Sequence, residues 1–494
     1  MTLSIRNWVL ALTLAAVAAP AQAQSVAGPY LAARQATILN DFETATEYYS
    51  MALARDPRNA ELMEDTIFAQ IGLGAMDRAL PIARLIESNG LRSQAAHMVV
   101  SAALLKDGDF EAFLARDIED VGIGPLVDGL LLAWAHVGAG DMAAAQEAFA
   151  DVREQQGLRG FALYHEALAH ASMGDFEAAY AILAADPNVT TLTRGSVLAN
   201  AQILSQVGRN DEAIAAIDRA FGPDRDPELA AYTTPLEAGE TLPFTHVGSA
   251  SDGAAEVYYT LAEALRSEAG LSYTLIYARL AQYLRPDHVD AVLFTAEILE
   301  ELDQPDLAVL TYKTVPQDHP AYYAAEIGRA GALRGVTKFD AAIEVLDQLA
   351  NRFPEIPQIY ANIGDIHRQQ QEWSAAVDAY NTALQLIDDG ARSQWFLHYT
   401  RAISYERLDR WDEAERDFRR ALELRPGQPQ VLNYLGYSLV EKRIKLDEAL
   451  MLIEDAVAAS PDSGYIVDSL GWVLYRLGRY DEAVTHMERA VELM

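Results

Sequence analysis

One alanine recurs along this chain at a near-constant interval, and that interval limits the fold more than any other feature does. Aligned on the Ala of the C-terminal Tyr-Asp-Glu-Ala, the slot falls at Ala45, Ala79, Phe113, Ala145, Ala179, Ala213, Thr274, Ala308, Ala342, Ala376, Ala414, Ala449 and Ala483. Successive spacings are 34, 34, 32, 34, 34, 61, 34, 34, 34, 38, 35 and 34 residues, and eleven of the thirteen positions hold Ala. A second slot, twelve residues further on, holds Pro57, Pro286, Pro320, Pro354, Pro426 and Pro461. Two slots sharing one period mean one structural unit copied along the chain.

The stretch Trp395 to Pro426 shows what the unit is. Apolar residues recur at helical spacing over Phe396–Leu408 and again over Trp411–Leu424, with a short polar turn between. Asp412 and Glu413 open the second run, where acidic groups suit the free N–H groups and the helix dipole. Ala402, Ala414 and Ala421 are small where two helices must come close, and Pro426 ends the second helix. The spacing predicts a helix–turn–helix. A composition that is 51% hydrophobic supplies the core for many such pairs.

The period, the two-helix unit, the small residue in each first helix (Gly364, Ala402, Gly436, Gly471), the alanines and the terminal Pro resemble the tetratricopeptide repeat. The resemblance covers nearly all of the chain after the first residues. It is strongest from Pro286 to Met494 and weakest from Gly90 to Gly160. It implies an all-α fold, a right-handed α–α superhelix of about thirteen repeats, with first helices lining a concave groove and second helices forming the back.

The 61-residue spacing breaks the array. Its surplus lies in Gly222–Gly253, with four prolines and little helical periodicity. The sequence therefore divides into a signal peptide at 1–23, an N-terminal array at 24–221, a linker or loop at 222–254 and a C-terminal array at 255–494. Gly222–Gly253 reads as a passive connector or as a segment that folds back into the groove or onto a partner.

The first residues carry Arg6, an apolar run from Trp8 to Ala19, and Ala21-Gln22-Ala23 as a small-residue cleavage site. The run is too short to span a bilayer and reads as a cleaved secretory signal. With no cysteine to carry a lipid, the expected location is periplasmic or secreted, without stable membrane insertion. Asp and Glu outnumber Lys and Arg by 72 to 38, which argues against nucleic acid as a partner.

No chemistry stands out. None of the ten histidines lies three or four residues from another, and no catalytic or phosphate-binding motif is present. The zero cysteine count removes thiol nucleophiles and Cys-bound metals. The chain reads as non-enzymatic, with no catalytic, cofactor-binding or metal residues.

What remains is a surface. By the resemblance, exposed positions of the first helices line the groove: Tyr259, Glu263, Arg266, Leu293, Glu297 and Glu300; then Arg334, Asn362, Asp365 and Arg368; then Tyr399, Ile403, Glu406, Asn433, Tyr437, Asp468, Trp472 and Tyr475. The candidate partner-binding set is Arg334, Asn362, Arg368, Tyr399, Asn433, Tyr437, Asp468, Trp472 and Tyr475. Its aromatic wall suits an extended peptide or partner helix, although each aromatic also reads as packing between repeats.

The C-terminal units resemble those of bacterial envelope adaptors with this repeat, some of which bring substrates to carboxy-terminal processing proteases. Two readings follow: an adaptor that recruits substrates to an envelope protease, or an assembly factor for cell-wall or outer-membrane machinery. The next Pro slot would fall at residue 495, and no polar capping helix precedes it. The expectation is that the natural chain continues, or that this end meets a partner or a second copy in a homo-oligomer.

Overall fold

The computed structural model describes residues 26–116, 122–186, 189, 193–222, 225–387 and 394–494. The signal peptide expected at 1–23 lies outside them. Helices build the fold. Among the described residues there are twenty-seven, and twenty-six of them form thirteen consecutive pairs. Each of the thirteen slots read from the sequence sits in the second helix of a pair, and each is buried. The chain divides into two compact units, Met1–Gly328 and Arg329–Met494.

In the second unit the reason for the period is direct. A methyl group added at Gly436 would sit 3.1 Å from the carbonyl oxygen of Ala449, and one at Gly471 would sit 3.2 Å from that of Ala483. The small slot of the first helix therefore meets the alanine slot of the second at their crossing. Side chains close the contact: Ile453 beside Gly436, Met487 beside Gly471 and the buried Tyr380 ring beside Gly364 would each lie 2.6 Å from an added methyl carbon, too close for one to fit without a shift. Five of the six slot prolines lie two residues past the end of a helix, where a missing N–H costs nothing. Pro320 differs, because the Pro305–Tyr312 helix has already stopped.

The turn inside every pair but Ala250–Leu265 with Leu271–Leu284 holds a left-handed residue. Gly74, Gly108, Gly140, Gly174, Gly208 and Gly478 serve there, but Asn40, Asp303, Thr337, Gln371 and Asp409 do the same with φ of 55–62°. Thr337, at φ 59°, is β-branched and so the most strained of these. Thr337→Gly is expected to stabilise the second unit by about 1 kcal/mol, read as a higher urea midpoint at unchanged slope.

The first unit departs from an open array. The pair Ala250–Leu265 and Leu271–Leu284 packs across the first helices of four earlier pairs, Ala60–Leu73, Gln94–Asp107, Pro125–Gly138 and Arg159–Ser172. Gly253 lies so close to the Trp134 indole that a methyl group there would be 2.2 Å from Cδ2. The Ser251 hydroxyl donates to the Leu105 carbonyl at 2.6 Å. Glu256, fully enclosed, accepts from the Tyr164 hydroxyl at 2.8 Å and pairs with His288 at 2.8 Å and His246 at 3.4 Å. Burial opposes its charge, yet His246 and His288 hold the carboxyl well below the usual carboxylate range. His165, hydrogen-bonded by the Trp134 indole N–H at 3.2 Å, is pushed by burial down to about 4 and stays neutral.

The Gly222–Gly253 segment lies within this unit and contains the Pro227–Glu237 helix. Part of it lies against the Arg194–Gln206 helix. Gln202, on the Arg194–Gln206 helix, accepts from the backbone N–H groups of Thr245 at 2.9 Å and His246 at 3.2 Å. Gln206 donates to the Leu242 carbonyl, Ser205 accepts from the Leu242 N–H at 2.8 Å, and Asn210 donates to the Glu240 carbonyl at 2.8 Å. An extended stretch of the chain is thus held through its own backbone by the Arg194–Gln206 helix and the start of the next. Gln202→Ala strips two partly buried N–H groups of their acceptor, a loss of about 1 kcal/mol. Limited proteolysis is expected to cut between Glu240 and Gly248 faster in that variant, with the far-UV spectrum unchanged.

Candidate functional site

The first helices of the second unit carry the whole candidate set: Tyr322–Gly335, Pro357–Gln369, Gln394–Arg407, Pro429–Glu441 and Gly464–Arg476. Two adjacent ones bring the main cluster together. Tyr437 stands on Pro429–Glu441, one turn before Glu441. Asp468, Trp472, Tyr475 and Arg476 stand on the neighbouring Gly464–Arg476. The Trp472 indole N–H donates to Glu441 Oε1 at 2.7 Å, which fixes the ring across the two helices. Its other face stacks on Tyr475, centroids 5.5 Å apart and planes 21° from parallel, and Arg476 lies 5.5 Å from its centroid. Tyr475 continues to Tyr480 at 5.5 Å.

This ladder is open to solvent. Tyr437 is 41% exposed, Tyr475 49% and Tyr480 60%. Partial burial and the carboxylates of Glu441 and Asp468 raise the Tyr437 phenol, so all three groups share one patch. The chemistry offered is aromatic faces edged by carboxylates, with one guanidinium at the rim. Such faces bind by area at little entropic cost.

Asn433 lies one turn before Tyr437 and is 8% exposed, so it is more enclosed than a groove-surface position should be. Its side-chain oxygen is buried and has no hydrogen-bond partner. A buried amide left in that state costs about 1–3 kcal/mol unless something supplies a donor.

A second cluster lies one repeat earlier. Tyr399 meets Tyr434 edge-on at 6.1 Å and stacks beside Trp395 at 6.4 Å. Burial, with Tyr434 and Tyr465 nearby, pushes its phenol up to about 12. Arg368 acts on both Tyr399 and Tyr434, but its guanidinium is held by Asp365 at 3.5 Å and by the hydroxyl of buried Tyr380 at 3.3 Å. Asn362 accepts from Gln358 on its own helix at 3.2 Å. Arg334 is half-buried in the last turn of its helix. The structure therefore brings Tyr437, Asp468, Trp472 and Tyr475 into one patch, and leaves Arg334 and Asn362 outside its hydrogen-bonded contacts.

In the first unit the groove reading fails at Tyr259. That ring is buried against His288 and Phe294, and its hydroxyl donates to Glu263 at 3.0 Å. Glu441, Tyr434, Tyr465, Arg476 and Tyr480 were missed as site residues. Glu441 and Arg476 lie one helical turn after Tyr437 and Trp472, and that i, i+4 relation was the available signal. Among the described residues, no group of three His, Asp or Glu is placed to hold a metal ion.

Comparison with known proteins agrees with this architecture. Family models for the tetratricopeptide repeat match residues 328–391, 395–428 and 467–494. A TPR repeat-containing protein of Pseudomonas aeruginosa is 27% identical over 174 residues, covering 35% of this chain and 28% of the relative. A general transcriptional corepressor of Schizosaccharomyces pombe is 24% identical over 234 residues, covering 44% of this chain and 21% of the relative. The chain thus spans less than a third of the length of these curated relatives. Among solved structures, the Cut9–Hcn1 hetero-tetramer covers 94% of this chain and 98% of its own at 14% identity, with a TM-score of 0.38. MamA covers 33% of this chain and 93% of its own at 19% identity, with a TM-score of 0.30. Residues 328–391, 395–428 and 467–494 thus carry tetratricopeptide repeats, and the thirteen helix pairs among the described residues build an all-α solenoid of helix–turn–helix units.

Proposed function

We propose that the protein is an adaptor that holds an extended segment of a partner protein on the concave face of its second unit. The observation that carries this reading is the Trp472–Tyr475–Tyr480 ladder, with Tyr437 exposed on the neighbouring helix. The aromatics supply the contact area for such a segment. Glu441 and Asp468 favour a neutral or basic segment. The proposal extends to place and partner: a protein exported by residues 1–23, delivering substrates to a carboxy-terminal processing protease of the cell envelope. The sequence of those residues and the resemblance of the C-terminal repeats to envelope adaptors support it.

Affinity capture from an envelope extract tests the groove. Trp472→Ala with Tyr437→Ala is expected to lower recovery of the bound partner at least about tenfold, with the helical spectrum intact. Equal recovery by the double variant overturns the groove. Recovery of wall-synthesis or secretion components in place of a protease and its substrates moves the assignment to an assembly factor.

Expression of the full chain in a Gram-negative host tests the place. The expected product starts at Gln24 and is released with the periplasmic fraction. A product that retains residues 1–23 and fractionates with the cytoplasm removes the envelope part of the proposal.

A further inference from the structure

A separate feature of the first unit points to a second binding site. Arg279 lies on the Leu271–Leu284 helix and faces the end of Ala60–Leu73. It lines a cleft of about 340 Å³ together with Leu73, Pro286, Leu307, Leu310 and Thr311, and an adjoining one of about 270 Å³ with Met76 and Asp77. Its Nη1 donates to Gln282 Oε1 at 3.1 Å. Its Nε is buried and has no partner. Among the described residues no carboxylate lies within 4.0 Å of its guanidinium, Asp77 included.

That isolation is unusual here. The chain carries 72 acidic residues against 38 basic ones, and the other enclosed arginines find partners, as Arg116 does in Glu87, Arg194 in Glu228 and Arg401 in Asp417. Arg279 is half-buried with its Nε fully enclosed, and burial pushes this guanidinium down to about 10. The C-terminus of Ala60–Leu73 offers only part of a negative charge. Its Gln70 and Ile71 carbonyls already accept from Ala75 and Gly74, each at 2.8 Å. Gly74, with φ of 82°, keeps the approach clear, since a methyl group there would stand 3.3 Å from Arg279 Cζ.

The walls give the rest of the ligand. Leu307, Leu310 and Pro286 are apolar, and Leu310 is 60% exposed. The hydroxyls of Thr311 and Thr314 donate to the carbonyls of Leu307 and Thr311, both at 2.8 Å, so the donors left for a ligand are the guanidinium and the Gln282 amide N–H groups beside it. We infer that the Arg279 cleft binds a carboxylate carried on a branched aliphatic group about the size of a leucine side chain. The carboxylate pairs with the free edge of the guanidinium and the aliphatic part covers the Leu307–Leu310 wall.

Two probes carry that chemistry from different sources: N-acetyl-leucine for a peptide terminus, and 4-methylpentanoate for a free aliphatic acid. Binding to the full chain is read by calorimetry and by the rise in Tm. A ligand of this size is expected to bind with a dissociation constant on the order of 1 mM. Binding of either acid supports the site, and the stronger one identifies the source. The amides of both acids are expected to bind at least about tenfold more weakly.

Arg279→Gln separates recognition from folding. It removes an unpaired, half-buried charge, so the Tm without ligand is expected to hold or rise while the ligand-induced rise disappears. Leu310→Ala is expected to weaken both acids and leave the apparent charge dependence intact. The inference fails if neither acid binds the native chain, if the amides bind as well as the acids, or if Arg279→Gln binds them unchanged.

Discussion

The fold depends on a contact between two small residues. In the last two pairs of the second unit a glycine of the first helix lies against the alanine of the second, so close that Gly436 and Gly471 approach the backbone of their partners. Close approach sets the crossing, the crossing sets where each helix ends, and the Pro and left-handed turn positions follow at fixed distances. A side chain at either slot would push the helices apart and displace every later repeat, because each pair is the platform for the next. The period of 34 is the length of chain needed to make that crossing once.

This explains what could be read beforehand. Repetition made the Ala and Pro slots visible, and the buried alanines lie where the period put them. Features that occur once had no such signal. That Ala250–Leu284 would lie across four first helices depends on contacts such as Gly253 with Trp134 and Tyr164 with Glu256, partners about a hundred residues apart. Gly253 and Glu256 look ordinary in the sequence. For the same reason Tyr259, a groove position by repeat grammar, is buried by neighbours that no period predicts. The aromatic patch of the second unit was partly legible, because Tyr437 and Trp472 occupy repeating positions. The hydrogen bond from Trp472 to Glu441 was not, since it joins two repeats.

The two units put one surface to different uses. In the first, the face of the first helices is covered by a helix pair and by the extended stretch near Thr245. In the second, the corresponding face keeps its aromatics exposed. Gln202 shows how such a face holds an extended backbone: one amide accepts from two consecutive N–H groups. Asn433 has the same kind of side chain, with its oxygen unused.

The covered face has a consequence for how the chain acquires its structure. An open solenoid grows from local contacts, and each repeat can settle once its neighbour has. The first unit cannot finish that way. Trp134 and Tyr164 reach their final neighbours only when residues 250–260 have been made, so the early pairs wait with an apolar face exposed. Closing those long loops costs entropy before any contact repays it, so the unit must fold late and as one body. A repeat protein that elsewhere behaves as a row of independent parts has here the cooperativity of a globular domain, together with the delay and the exposure to aggregation that such domains carry during synthesis.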